Sequence, residues 1–265
     1  MNGCICCTIR EDLALELRNL YLLRTLGDVP RFNRVLIETT GLADPVPVIH
    51  TFMANTELKK VYRMHSVVTV VDGLVGERSL ADQAVSSRQV ALADHLLISK
   101  QDLASDEGLN KLRDLLTEIN PAATISDAQA FGVADLTAAN QYPIRGNSPD
   151  IEYWLGSEQI TNHGSGIQSF KLHRDQIISL ADLVLFFQEL VNYQPDKLLR
   201  VKGLVAVAGK LATPAVVHCI RDKVYPLVWL ESWPETVAPG MRLVFITDGI
   251  ERQEIENILQ TVCSI

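Results

Sequence analysis

The sequence lacks several things, and each absence narrows the reading. It has no charged N-terminal segment followed by an apolar core, and no uninterrupted apolar run approaches the ~18 residues that span a bilayer. It has five cysteines, an odd number, with Cys219 and Cys263 far from the three near the start, so no secreted disulfide framework is visible. These two observations predict a cytoplasmic protein with reduced thiols. No Lys/Arg run occurs, and the net charge of −8 argues against nucleic acid as a partner, because phosphate binding needs a clustered basic surface. The same absence of apolar spans predicts no membrane partner. His50, His65, His95, His163, His173 and His218 are scattered without the i, i+4 spacing of helical metal ligands. A vicinal Cys6–Cys7 bridge would be strained, and no thioredoxin-like redox motif is available, which disfavours thiol redox chemistry. No internal repeat or low-complexity tract is present.

What remains is ample for globular domains: 265 residues, 47% hydrophobic and 21% charged. "EDLALELRNLYLLRTL" carries leucines at helical spacing. "RVLIETTG" and "HSVVTVVDG" read as buried parallel strands ending in polar and glycine signals, and "HLLISKQDL" as a further strand and loop. "SLADQAVSSRQVALAD" and "DEGLNKLRDLLTEINP" read as helices, and "ATISDAQ" as another strand. This alternation predicts an α/β domain with a doubly wound, mostly parallel sheet. Gly, Pro, Asn and Ser then accumulate, marking a linker. Beyond it, the order strand, helix, several strands, helix predicts a small α+β domain with helices on one face of a largely antiparallel sheet. The expected boundaries are 1–145 for the first domain, 146–166 for the linker and 167–265 for the second.

Chemistry is expected at the carboxyl ends of the parallel strands. Glu38 with Gly41 suits a carboxylate holding a Mg²⁺ water beside a glycine amide that approaches a terminal phosphate, or simply a solvated strand end. In "ISKQDL", the Lys100 stem suits the face of a purine, and Asp102 suits acceptance of two N–H bonds from a guanine edge. The alternative for Asp102 is a helix N-cap. Asp72 reads as a turn aspartate. Cys4, Cys6 and Cys7 within four positions suit soft-metal ligation by Zn²⁺ or Cu⁺. Period two places Cys4 and Cys6 on one side of an extended strand and Cys7 on the other, unless the chain turns there into the helix. The alternative is three small hydrophobes.

Taken together these stretches resemble the CobW family of P-loop GTPases, relatives of the nickel-handling HypB and UreG proteins. "NGCICCTIREDL" looks like the family's Cys-x-Cys-Cys segment, with Cys4, Cys6 and Cys7 matching it. "VLIETTGLADPVPV" is similar to its Glu-Thr-x-Gly switch, placing Glu38 and Gly41. "LISKQDL" fits the guanine loop through Lys100 and Asp102, with Ser99 where the family usually has Asn. "LLRVKGLV" and "RLVFITDGI" resemble the family's C-terminal domain. The resemblance implies GTP binding and hydrolysis with Mg²⁺, and a zinc cargo with cobalt as the alternative. It also implies a client metalloprotein and a link to cobalamin biosynthesis. A non-catalytic, metal-binding protein without nucleotide turnover is the second reading. No G-x-x-x-x-G-K-[ST] phosphate loop occurs in the sequence. In the family that loop and a first strand lie upstream of the cysteines, so the expectation is that the chain begins inside the domain, with Met1 an internal methionine.

Overall fold

The computed structural model describes residues 5–132, 135, 161–162 and 166–263, with the side chains of 5–11 and 161–162 left aside. The chain divides into two compact units, 1–65 and 66–265. The predicted linker lies almost wholly outside the described residues.

The first unit is helical: α1 (Ile5–Leu26), α2 (Val46–Ala54) and α3 (Thr56–Val61). Its small core sets Ala14 and Leu17 of α1 against Leu58 of α3, flanked by Leu13, Val35, Phe52 and Tyr62. Leu13 and Leu17 are one helical turn apart, as the leucine spacing requires. The Tyr62 hydroxyl donates to Leu17 O at 3.0 Å, and the Asn55 carboxamide oxygen caps α3 by accepting from Glu57 N and Leu58 N.

The structure corrects the strand expected at "RVLIETTG". Residues 34–40 form neither helix nor strand, and Leu36 is 77% exposed. A strand exists only where a neighbour completes its ladder, and none of the described strands pairs with this segment.

The second unit opens with three parallel strands in sequential order, β1 (Val68–Asp72), β2 (His95–Ser99) and β3 (Thr124–Asp127). They alternate with α4 (Gly76–Asp82), α5 (Ala84–Leu92) and α6 (Asp106–Ile119). The central strand β2 is apolar at Leu96, Leu97 and Ile98 and buried on both faces, as a parallel sheet covered by helices demands. Ser105, whose hydroxyl accepts from Gly108 N, starts α6; Asn120 follows it. The fully buried Asn120 carboxamide donates to Val90 O, Ala91 O and Ala93 O, fastening the end of α5 to the loop before β3.

A second, antiparallel sheet follows, built from β4 (Thr161–Asn162), β5 (Ile167–Arg174), β6 (Leu198–Val205), β7 (Ala215–Ile220), β8 (Lys223–Val224), β9 (Val228–Trp229) and β10 (Met241–Asp248). Its spatial order is β4-β5-β10-β6-β7-β8, with β9 on β7. Helices α7 (Leu180–Tyr193) and α8 (Arg252–Cys263) cover one face. There Phe170 and Phe245 stack at 5.4 Å among Phe186, Phe187, Ile255 and Leu259. The other face is covered too: Ile167, Leu199 and Ile246 share a core with Val90, Ala91 and Leu116 of α5 and α6.

Gly203 permits the tightest approach in this sheet, because a Cβ there would sit 2.2 Å from Arg242 O and 2.8 Å from Leu243 Cα, both rigid backbone. Gly203→Ala is expected to cost about 1–3 kcal/mol in urea unfolding, through displacement of β10. No helix among the described residues is long and apolar enough to cross a membrane.

Candidate functional site

The carboxyl edge of the parallel sheet gathers three loops. Asp72 and Ser99 are the last register pair of β1 and β2, and the ladder is prolonged by Gly73 N donating to Ser99 O at 2.8 Å. A Cβ on Gly73 would lie 2.7 Å from that carbonyl, so the loops approach this closely only because residue 73 has none. The Ser99 hydroxyl donates to Val71 O at 3.3 Å, tying its loop back to β1. Gln101 turns inward, donating to Ile98 O and accepting from Arg113. The third loop follows β3, where Ala128 N donates to Ile98 O and Gln129 N to the Asp127 carboxylate.

Lys100 adopts φ 53°, a left-handed conformation, and its Nζ lies 2.5 Å from Asp72 Oδ2. The other Asp72 oxygen accepts from Leu74 N and Val75 N, so Asp72 is the turn aspartate that its sequence suggested and an ion-pair partner besides. The hydrogen bond from Lys100 holds the Asp72 carboxyl below its ordinary range; partial burial opposes this and the two amides assist. Sequence reasoning missed the Asp72–Lys100 pair because the two residues are 28 positions apart. The legible signal was that Asp72 ends β1 and Lys100 directly follows the adjacent parallel strand β2.

Asp102 does not cap a helix. It sits in a single 3₁₀ turn, Gln101–Leu103, whereas the α6 cap is Ser105. The Asp102 carboxylate is exposed and makes no hydrogen bond to any described residue.

Glu38 lies in the exposed, irregular 34–40 segment rather than at a strand tip. Gly41 begins the turn that follows, closed by Ala43 N donating to Thr40 O at 3.0 Å. Among the cysteines, Cys4 lies outside the described residues. Cys6 and Cys7 fall in the first turn of α1, which corrects the extended strand expected there. A helix puts consecutive positions about 100° apart around its axis rather than on opposite faces. Among the described residues no three His, Cys, Asp or Glu side chains converge on a metal position. The two remaining cysteines are not candidates: Cys219 is buried, where desolvation raises its thiol, and Cys263 lies at the end of α8.

A parallel α/β sheet with loops gathered at its carboxyl edge, followed by an antiparallel sheet with helices against it, defines a protein of the α/β class with an appended α+β part. Residues 1–127 match the CobW/HypB/UreG nucleotide-binding domain, and residues 167–263 match the cobalamin synthesis protein cobW C-terminal domain. The chain belongs to the CobW family.

Its relatives include the zinc chaperone YjiA of Escherichia coli (strain K12), 27% identical over 96% of this chain and 78% of its own length. The zinc chaperone CobW of Pseudomonas aeruginosa is 26% identical over 98% of this chain and 73% of its own. The zinc-regulated GTPase metalloprotein activator 1 of Schizosaccharomyces pombe is 32% identical over 55% of this chain, a match spanning 34% of that protein. The crystal structure of the Zn(II)-bound YjiA GTPase from E. coli superposes with a TM-score of 0.75 at 24% identity, covering 93% of this chain and 76% of that one, which shows the fold.

Proposed function

We propose that the chain is a guanine-nucleotide-binding zinc metallochaperone, in which nucleotide state governs how zinc is held and passed to a client metalloprotein. In this reading Cys4, Cys6 and Cys7 carry zinc as cargo, with cobalt, through cobalamin biosynthesis, as the alternative metal. Zinc is preferred because thiolates favour it and because two of the relatives named above are zinc chaperones. Lys100 lays its stem along the purine, and Asp102 accepts from the guanine N1–H and N2–H. Ser99 anchors their loop to β1. Glu38 holds a water of the Mg²⁺ that neutralises phosphate charge when GTP is bound, and the Gly41 amide faces the terminal phosphate.

The observation that carries the guanine reading is the exposed Asp102 carboxylate, which does no structural work at the loop edge where ligands of such sheets bind. Asp102→Asn tests it. A carboxylate accepts two N–H donors, whereas a carboxamide presents one acceptor and one donor, which suits the O2 of xanthine. GDP affinity is expected to fall at least tenfold, as for loss of a charged hydrogen bond, while xanthosine diphosphate is gained. Unchanged GDP affinity, or equal binding of GDP and ADP by the unaltered chain, would overturn the reading.

A second reading, metal binding without nucleotide turnover, has zinc binding with no measurable guanine-nucleotide affinity as its signature.

A further inference from the structure

Two residues meet at the sheet edge in a way that neither the turn nor the sheet requires. Lys100 is a non-glycine residue in the left-handed region, which costs about 1 kcal/mol and persists only where the surroundings hold it. Asp72 ends the neighbouring strand, paired in register with Ser99, the residue before Lys100, and divides its carboxylate between two tasks. Oδ1 accepts from Leu74 N at 2.8 Å and Val75 N at 3.2 Å, while Oδ2 receives the Lys100 ammonium at 2.5 Å. One side chain thereby joins the turn leading into α4 to the loop after β2.

The pair adds little to stability, since the Lys100 side chain is 58% exposed and exposed ion pairs contribute little. Its effect is on orientation. A lysine has four rotatable bonds, and a stem used as a flat platform must be fixed at both ends. The backbone fixes one end, and Asp72 fixes the other.

We propose that Asp72 is a positioning residue of the nucleotide site: by anchoring the Lys100 ammonium it holds the lysine stem in place for a purine base. The inference rests on the guanine reading above. Asp72 touches no base; it acts through Lys100, and base identity stays with Asp102.

Asp72→Asn separates its two tasks, because the carboxamide oxygen still accepts from Leu74 N and Val75 N while the ion pair is lost. The measurement is GDP and ADP affinity, by titration calorimetry on the full chain, for the unaltered protein, Asp72→Asn, Lys100→Met and the double variant. Asp72→Asn is expected to weaken GDP about three- to fivefold and to leave the preference for GDP over ADP unchanged. In the Lys100→Met background the same substitution should have no further effect. A purely structural aspartate would instead weaken binding by the same factor in both backgrounds, and that additivity would overturn the proposal. So would an Asp72→Asn variant that binds GDP like the unaltered chain. If the unaltered chain binds no guanine nucleotide, the guanine reading itself falls and the positioning role falls with it. Loss of the guanine preference in Asp72→Asn would assign base recognition to Asp72 and equally overturn a role exercised through Lys100.

Discussion

Arg200→Met is expected to destabilise the second unit by about 3–5 kcal/mol, a large fraction of the ~5–15 kcal/mol of a typical domain. Arg200 is 1% exposed in the middle of β6, and its guanidinium meets the Asp94 carboxylate while donating to Leu92 O and Ala93 O. Asp94 in turn accepts from Val67 N at 2.9 Å, at the entrance to β1, so one buried carboxylate serves the parallel sheet and the antiparallel one together. Removing the arginine takes away the largest compensating charge of a buried carboxylate. The double variant Asp94→Asn/Arg200→Met removes both charges and keeps an acceptor for Val67 N. It should recover more than half of the loss in urea melts, and a double variant no better than the single one would contradict the assignment.

The same cluster sets the acid sensitivity. Burial opposes ionisation of Asp94, but Arg200, Lys202 and His218 outweigh it and hold the carboxyl well below its ordinary range. Burial, with Arg200 next in size, pushes His218 well below the usual histidine value. Both groups therefore bind protons more readily unfolded than folded. Their contributions are fully present above the unfolded values, ~6.5 for histidine and ~3.9 for aspartate, and are lost as pH falls below each. Stability should decline in two stages, beginning below about pH 6.5 and steepening below about pH 4.

Replacing Cys6 or Cys7 by serine should weaken zinc binding by about two to three orders of magnitude. Structural zinc sites with four ligands hold the ion by about 10–16 kcal/mol, so each thiolate accounts for roughly 3–4, and 1.4 kcal/mol is tenfold. Competition against a chromophoric chelator reads the change directly. Alanine at Cys219, which is buried against the helices of the second domain, should leave zinc affinity unaltered. Zinc binding that survives alkylation of the N-terminal thiols would assign the metal elsewhere.

Much of the architecture was legible because periodicity and end signals agreed. "LADLVLFFQELVNY" is α7 residue for residue, with Ser179 as its cap, and "DEGLNKLRDLLTEI" is α6 with Ser105 as its cap. The run "HLLIS" is β2, ending at Ser99, and Lys100 and Asp102 lie in the loop directly after it. "SLADQAVSSRQVALAD" reads as one helix but forms two, α4 and α5, because Gln83 takes an extended conformation between them. "RVLIETTG" failed for a different reason: β-branched, apolar composition states a capacity to pair, and pairing depends on a neighbour that local sequence does not reveal. Cys6 and Cys7 are helical because the leucine periodicity that begins further on carries its helix back to Ile5. The Asp94–Arg200 pair, 106 positions apart, and the Asp72–Lys100 pair were out of reach, since no local pattern encodes a contact between distant strands.

The claim on which the functional account turns is that the cysteine segment holds zinc through sulfur. X-ray absorption at the zinc edge of the full chain, loaded with one equivalent of Zn²⁺, tests it without any variant. Two or three sulfur scatterers at about 2.3 Å are the predicted result. A first shell made only of nitrogen and oxygen at about 2.0–2.1 Å would contradict it.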